Sequence, residues 1–328
     1  MAAGNGRGGP ESPRRGGSRW LLFALGALVF FGLTNFSLGF ISEKSVGDPA
    51  ASVKAAMILW LGTGLLGIGG AVFLFFSGRG FSGLPGRSAL LLPMVAGLSL
   101  ALGMLLLKAS LAANPLAKGA IVAITSSNSL VVAVLALVFV GEKLSPGQWA
   151  AFLAIVAGIV LISLGGGGGR FGMVGYAVAA MLLFGLTNFF LKLAGRRGCD
   201  SFTAAVVLWL CVGACGLLTC ASYWLARSRW PWLGHPGLGW LALLAGVFLG
   251  LGMLGIKKAV TLGPAGPATA VSGSNAILVS LLDLALLGHW LPRLKLAGML
   301  AAVAGIVMLA LARPSATERN AGGMRRAT

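Results

Sequence analysis

Long apolar runs separated by short polar breaks make up most of the chain. Each run has a length near the ~20 residues that an α-helix needs to cross the apolar core of a bilayer. The breaks carry turn residues, among them Gly47-Asp48-Pro49, Asn114-Pro115 and Gly263-Pro264. This pattern predicts an all-α integral membrane protein with ten transmembrane helices. The predicted spans are 20–41, 52–76, 88–111, 116–140, 147–164, 172–193, 203–226, 237–260, 266–288 and 294–312.

The series of apolar runs occurs twice along the chain. Phe31 to Phe36 (FGLTNF) returns letter for letter as Phe184 to Phe189. Further along, Ala55 to Gly67 returns as the similar segment Ala204 to Gly216. Because the order of the segments is kept, the sequence predicts a duplication. Five runs in each copy is an odd number, so the second copy is expected to enter the membrane from the opposite side, which predicts two inverted five-helix repeats.

The repeat divides the chain into five predicted segments. The first five-helix repeat covers 20–164 and the second covers 172–312. Between them, residues 165–171 form a glycine-rich linker, a composition typical of flexible connections. The two ends, residues 1–19 and 313–328, are polar and poor in bulky apolar residues, which predicts disordered tails on the cytoplasmic side.

The composition agrees with a membrane protein. Hydrophobic residues are 57% of the chain and charged residues 10%, whereas a soluble domain has about 25% charged residues. The formal net charge of +18 comes from residues in tails and short connections, so there is no basic face for nucleic acid, and we exclude that partner. The excess of Lys and Arg in the tails favours cytoplasmic termini under the positive-inside rule, in an inner or plasma membrane.

One connection carries a family resemblance. Val140 to Trp149 (VGEKLSPGQW) and the following Ala157 to Leu161 (AGIVL) resemble EamA-type members of the drug/metabolite transporter superfamily. The second copy departs from the motif, with Gly288 to Leu291 (GHWL) in the place of Gly141 to Leu144 (GEKL). The resemblance covers the apolar part of the chain, 20–312. It implies a secondary transporter with a substrate path between the halves, lined by spans one, three, four, six, eight and nine.

Polar side chains in the middle of the apolar runs are candidate lining residues of that path. In hydrocarbon such a side chain is costly unless it faces a partner, water or a solute. The candidates occur at equivalent positions in both copies, on spans that the resemblance assigns to the path. The alternative is that they join helices through hydrogen bonds. They are Thr34, Asn35, Ser127, Asn128, Thr187, Asn188, Ser274 and Asn275.

Three charged residues carry separate hypotheses. Asp283 lies well inside a run and is a candidate for proton or cation coupling, with an interfacial or ion-paired structural role as the alternative. We expect no pair between Asp283 and Lys257, which would lie about 25 Å apart along the membrane axis. Lys108 and Lys257 are equivalents at the ends of spans three and eight. Either they extend to the membrane surface, or they act as gates that select anionic solutes.

No catalytic constellation, metal-ligand spacing or nucleotide-binding motif is present, and acids and histidines show no cluster at one predicted membrane face. We therefore expect no enzymatic activity, cofactor or metal. The sequence predicts a secondary transporter, more in keeping with export than uptake, that moves a small polar or amphipathic metabolite by alternating access. A proton or cation gradient would supply the energy. A lipid-headgroup flippase and a non-transporting membrane scaffold are the alternatives, and homodimer formation is left open.

Overall fold

The computed structural model describes residues 19–45, 48, 50–77, 87–140, 145–164, 171–262 and 271–311, and within these ranges the regular structure is helical. The first copy forms α1 (Arg19–Lys44), α2 (Ala51–Phe76), α3 (Arg87–Ala113), α4 (Lys118–Ser126), α5 (Asn128–Val140) and α6 (Pro146–Leu164). The second forms α7 (Phe171–Arg196), α8 (Ser201–Arg227), α9 (Pro236–Leu262), α10 (Asn275–Leu287) and α11 (Arg293–Leu311). The tails, nearly all of the predicted linker and residues 141–144 of the family-like connection lie outside the described residues.

Six of the described helices are long and apolar enough to cross a membrane, which makes the chain a multi-pass membrane protein. Large apolar side chains cover the outside of the bundle, such as Leu22, Phe76 and Leu225, which are 68%, 81% and 75% exposed. A surface of this kind is suited to lipid rather than water. The count of ten spans and the inverted arrangement of the repeats stay predictions. The six helices span Arg19–Lys44, Ala51–Phe76, Leu90–Ala113, Val174–Gly195, Ser201–Arg227 and Pro236–Ala259.

One predicted span is broken in its middle. The run 116–140 was expected to be a single helix, but the chain turns at Ser127 between α4 and α5. The hydroxyl group of Ser127 donates to the carbonyl of Ala123 (2.9 Å), and that of Thr125 donates to Val122 (3.1 Å). Side-chain bonds to nearby backbone carbonyls compete with the regular helical ladder and bend helices. The cluster of small hydroxyl residues therefore ends α4 where the apolar pattern alone would continue it.

The second copy is broken at the equivalent position. Residues 271–273 are helical, Ser274 is a turn, and α10 begins at Asn275. The N–H of Ser274 donates to the Val271 carbonyl at 3.3 Å, a bond one residue shorter than the α-helical one. Both discontinuous helices thus resume on an asparagine, which places these two side chains at the start of a half-helix inside the apolar bundle.

The two copies pack against each other helix by helix. The helix pairs are α1 with α9, α2 with α8, α3 with α7, α4 with α10, and α6 with α11. Each of these pairs joins the first copy to the second, so the main core lies between the copies rather than within either one. Its fully buried members include Leu59, Ile121, Val212 and Val279.

The contact between α2 and α8 has glycines at its centre. A Cβ atom added at Gly64 would lie 2.6 Å from the Cα of Gly213, and one added at Gly213 would lie 2.5 Å from the Cα of Gly64. Real Cβ atoms do not approach this closely, so the two helix axes can cross at this distance only because both residues lack side chains. The two glycines are equivalent positions of the repeat, and they contact each other.

Aromatic side chains also make matched contacts between the two copies. The ring of Phe184 packs on Gly103, and the ring of its equivalent, Phe31, packs on Gly252, the equivalent of Gly103. An added Cβ would lie 2.5 Å from the first ring and 2.6 Å from the second. Contacts in the interface therefore occur in matched pairs, which allows the two copies to be compared residue by residue.

Candidate functional site

The two threonines among the candidate residues are used to join the copies. Thr34 on α1 donates from its hydroxyl group to the carbonyl of Ala245 on α9 at 3.1 Å. Thr187 on α7 donates to the carbonyl of Ala96 on α3 at 3.2 Å. Both threonines are 1% exposed. Each hydroxyl group thus makes an interhelical hydrogen bond, and their assignment to the substrate path stays a prediction.

The four candidate asparagines come together as two amide pairs. Asn35 donates from Nδ2 to Oδ1 of Asn275 at 3.1 Å, and Asn188 donates to Oδ1 of Asn128 at 3.2 Å. Each pair joins a continuous helix of one copy to the half-helix of the other. The two bonds are equivalent under the repeat, and the sequence predicted the residues but not their pairing.

The asparagine at the start of each half-helix also donates a hydrogen bond to a backbone carbonyl just before the turn. Asn275 donates from Nδ2 to the carbonyl of Ser272 at 2.8 Å, and Asn128 donates to the carbonyl of Thr125 at 3.1 Å. These carbonyls belong to helical residues that lie two positions before the turns at Ser127 and Ser274. The amide side chain therefore holds the turn with its donor group and the partner asparagine with its acceptor group.

The two pairs differ in their exposure. Asn35 and Asn275 are 8% and 4% exposed, so the first pair is buried, and we call it the buried amide pair. In the other pair Asn128 is half-buried and Asn188 is exposed, and we call it the open amide pair. Equivalent residues with equivalent bonds thus lie in different surroundings in the two copies.

The serines at the breaks have a backbone role. Ser127 is fully buried and its hydroxyl group is bonded to the carbonyl of Ala123 within α4. Its equivalent, Ser274, precedes α10 at the second turn. The structure therefore places both predicted serines at the discontinuities, next to the amide pairs.

Asp283 belongs to an ion-paired group with Lys118 at its centre. The residue is 4% exposed on α10, and its carboxylate contacts the Nζ atom of Lys118 at the start of α4. The same Nζ atom lies 2.7 Å from a carboxylate oxygen of Glu43 near the end of α1. Lys118 itself is fully buried. A buried ammonium group is thus held between two carboxylates, one from each copy, as buried charges require.

A histidine completes this group, which we call the ionic cluster. The Nδ1 atom of His289 lies 3.7 Å from the Asp283 carboxylate and 4.0 Å from that of Glu43. The sequence analysis was wrong in expecting no cluster of acids and histidines, because Glu43 is far along the chain from Asp283 and His289, and the fold brings them together. Two carboxylates and an imidazole are a usable metal-ligand set. Here the ammonium group of Lys118 supplies the positive charge between the carboxylates.

The two candidate gate lysines differ in their contacts. Lys108 is fully buried, and its Nζ atom donates to the carbonyl of Leu38 at 2.9 Å and to the hydroxyl group of Ser42 at 2.6 Å. It therefore does not extend to the membrane surface, as a lysine at a span end usually does. Lys257 is half-buried and donates to the carbonyl of Ser201 at 3.4 Å. The gating role of both lysines stays a prediction.

One sequence signal for the ionic cluster was available. Glu43 follows Asn35 by eight residues, and Asp283 follows Asn275 by eight residues. Once the two asparagines are paired, this equal spacing places both carboxylates at the same height on neighbouring helices. Lys118 and His289 gave no comparable signal, because each lies at the edge of an apolar run where charged residues are common.

Comparisons with known proteins agree with the resemblance. Residues 172–311 match the model of the EamA-like transporter family. No curated protein matches the chain. A solved crystal structure, described only as that of a protein, is similar over 90% of this chain and 97% of its own, with a TM-score of 0.56 and 19% identity. At this identity the likeness shows a shared fold and nothing about activity.

The family match covers the second copy, whereas the connection that carried the resemblance lies in the first. The repeat joins the two, because the first copy shares FGLTNF and its other repeated segments with the matched region. The match over residues 172–311 to the EamA-like transporter family is consistent with the EamA-type members of the drug/metabolite transporter superfamily.

Proposed function

We propose that this protein is a secondary transporter that exports a small polar or amphipathic metabolite across the inner or plasma membrane by alternating access. The observation that carries the proposal is the two equivalent amide pairs, each formed between a continuous helix and a discontinuous one. Discontinuous helices at the interface of two repeats are the usual place for solute sites in transporters. Proteins of the EamA family are in general transporters rather than enzymes.

The chemistry of the amide pairs suits a neutral hydrogen-bonding group on the solute. An asparagine side chain offers two donor positions and an acceptor with two lone pairs. In each pair only some of these are used, by the partner amide and by the carbonyl at the break. A solute could exchange its own donors and acceptors for the bond between the amides. The site would then bind polar groups without fixing a charge, and the apolar surroundings would hold the remainder of the solute.

Alternating access would act through the difference between the amide pairs. One pair is buried and the other is open, although the bonds are equivalent. A transporter built from two similar halves is expected to exchange the surroundings of equivalent residues when it changes from one open side to the other. We infer that the buried and open pairs exchange their surroundings during the cycle, with the polar candidate residues forming a shared path.

The energy source we propose is a proton or cation gradient, and Asp283 is the candidate coupling residue. Its carboxylate is buried within the apolar bundle and belongs to the ionic cluster. A carboxylate that gains a proton there no longer attracts Lys118, which links protonation to the contact between the copies. Asp283→Asn should abolish the dependence of transport on a proton gradient. Transport by this variant that still follows the gradient would remove Asp283 from coupling.

The test of function is solute counterflow with the purified full chain in vesicles, using a panel of small metabolites. Asn128→Leu and Asn275→Leu should retain the fold and lose most of the flux. Thr219→Val is the matched control, because this hydroxyl group bonds carbonyls within its own helix, at 2.7 and 3.1 Å. Full flux in both asparagine variants would exclude the amide pairs from the site.

The same vesicles distinguish the alternatives. Movement of a labelled lipid between the leaflets, with no counterflow of soluble metabolites, would indicate a flippase. If neither lipids nor metabolites move, the transport proposal fails and a scaffold role is favoured. Export is tested by the direction in which a gradient drives net flux once the orientation of the protein in the vesicles has been determined.

A further inference from the structure

We propose that the ionic cluster is a gate that closes one mouth of the path between the copies and must separate for that mouth to open. The inference rests on the proposed function and adds to it a named contact that changes during the cycle. It is distinct from the lysine gates considered in the sequence analysis. Its members are Glu43 and Lys118 from the first copy and Asp283 and His289 from the second.

The cluster is positioned to hold the copies together. The ammonium group of Lys118 contacts a carboxylate of its own copy and one of the other copy. Its aliphatic stem packs on Gly39 of α1, where any side chain would collide with it. Separation of the copies at this point would therefore have to withdraw a fully buried lysine from Asp283, and water would have to replace the lost contact.

The same two helices carry the buried amide pair. Asn35 and Glu43 lie on α1, Asn275 and Asp283 lie on α10, and the spacing on both helices is eight residues. At 1.5 Å per residue this is about 12 Å. Helices α1 and α10 are thus joined at two heights, by an amide pair deep in the bundle and by the Lys118 bridge nearer the helix ends. A solute at the buried pair could leave past these ends only if the bridge opened.

The other amide pair has no equivalent bridge in the sequence. Eight residues beyond Asn188 the chain has Arg196, and eight beyond Asn128 it has Ala136. These are the repeat equivalents of Glu43 and Asp283. The two carboxylates are thus replaced in the sequence by a cation and an apolar residue, so the Glu43–Lys118–Asp283 arrangement is not repeated there. Among the residues that the structure describes, this arrangement occurs beside the buried amide pair.

The exposure of the amide pairs agrees with a gate at one mouth. The pair on the same helices as the ionic cluster is buried, and the pair without a bridge is open. A closed gate excludes water from the residues behind it, which gives this difference its physical cause. If both termini are cytoplasmic, the gate lies at the far mouth and the open pair lies towards the cytoplasm.

The experiment measures the distance across each mouth by pulsed electron paramagnetic resonance on spin-labelled full-length protein in lipid. The four native cysteines are first replaced by serine. Lys44→Cys and Trp290→Cys, both exposed and next to cluster residues, report on the gated mouth. Phe139→Cys and Arg197→Cys, also exposed, report on the opposite mouth. Each label pair joins one copy to the other.

The gate is removed by a double variant, Lys118→Met with Asp283→Leu, which removes one buried charge of each sign. It leaves the Glu43 carboxylate, whose side chain is 22% exposed, and should fold. We expect the distance across the gated mouth to lengthen by more than about 2 Å, and that across the opposite mouth to shorten. Lys54→Met is the matched control. It removes an ion pair of 2.8 Å with Asp48 that lies near the same end of α1 but within one copy, and it should change neither distance.

Two results would overturn the gate. Unchanged distances in the double variant would leave the cluster as a structural ion pair. Lengthening at the gated mouth without shortening at the other would indicate local loosening rather than a gated transition. The flux assay keeps this failure separate from failure of the proposed function. Normal metabolite flux with unresponsive distances removes the gate alone, whereas responsive distances without flux of any metabolite remove the transport proposal.

Discussion

The two amide pairs are chemically the same and structurally different. Asn35 with Asn275 and Asn188 with Asn128 have the same partner types and bond lengths within 0.1 Å of one another, at 3.1 and 3.2 Å. The first pair is buried beneath a bridge of opposite charges, and the second lies open, with Arg196 and Ala136 in the sequence positions equivalent to Glu43 and Asp283. The duplication kept the four paired asparagines, and divergence changed the residues eight positions beyond each of them.

The largest expected effect comes from breaking the bridge on one side only. Lys118→Met leaves the Asp283 carboxylate buried without its cation, and loss of one partner of a buried pair costs about 3–5 kcal/mol. We expect a large fall in the thermal unfolding temperature in detergent. The double variant with Asp283→Leu should recover most of it, because it removes both charges. A single variant as stable as Lys54→Met would contradict the burial of this charge.

The second prediction concerns the contact between Gly64 and Gly213, where equivalent residues of the two copies touch each other. Gly64→Ala and Gly213→Ala should each destabilise the protein by about 1–3 kcal/mol, because the added methyl group collides with the opposite helix backbone. Equal losses of thermal stability in the two variants are expected. Gly69→Ala, where an added Cβ meets nothing within 4 Å, is the control and should not destabilise. Unequal losses would show that the two equivalent glycines do not lie in equivalent surroundings.

The third prediction compares the amide pairs directly. Asn275→Leu leaves the Asn35 amide buried without its partner, whereas Asn128→Leu leaves the Asn188 amide exposed to other partners. We expect a loss of about 0.6–2 kcal/mol for the buried pair and a smaller loss for the open pair. Chemical denaturation of the two variants under one condition measures the difference. Equal losses would mean that the two surroundings are alike in the membrane.

The smallest effect is expected from an ion pair that lies within one copy. A hydrogen bond and charge from Lys54 hold the pKa of Asp48 below its ordinary value. A carboxyl group with a lowered folded pKa stabilises the protein above its unfolded pKa, near 3.9, and this contribution is lost as the pH falls through the folded pKa. Asp48→Asn should therefore cost at most about 1 kcal/mol at pH 7. The cost should vanish in acid, as measured by unfolding temperature against pH.

The sequence predicted the elements that follow from periodic apolar length. In its described part, each predicted run forms one helix or, for 116–140 and 266–288, helical segments separated by a turn. The repeated asparagines meet at the interface between the copies. Hydropathy reports how long an apolar run is, but it does not detect local competition for backbone bonds. This is why the turn at Ser127 was not predicted, although the hydroxyl residues that cause it are evident in the sequence.

The burial of charged residues at the ends of apolar runs was harder to predict from the sequence. From the sequence, Lys108 and Lys118 look like ordinary surface lysines, since a span end is where a lysine reaches water most easily. In the structure both are fully buried, because each has a specific acceptor on α1, a carbonyl and a hydroxyl group for the first and a carboxylate for the second. Such partners are fixed by which helices become neighbours, which a single sequence does not state.

Gly64 and Gly213 contact each other across the repeat, so this point of the fold is its own counterpart. In the proposed transport cycle, a contact that maps onto itself would stay the same whichever mouth is closed, and it would be the fulcrum about which the copies tilt. It also ties the evolution of the copies together. A side chain gained at one glycine meets the backbone of the other copy, so neither position is free to drift while the mouths on either side diverge.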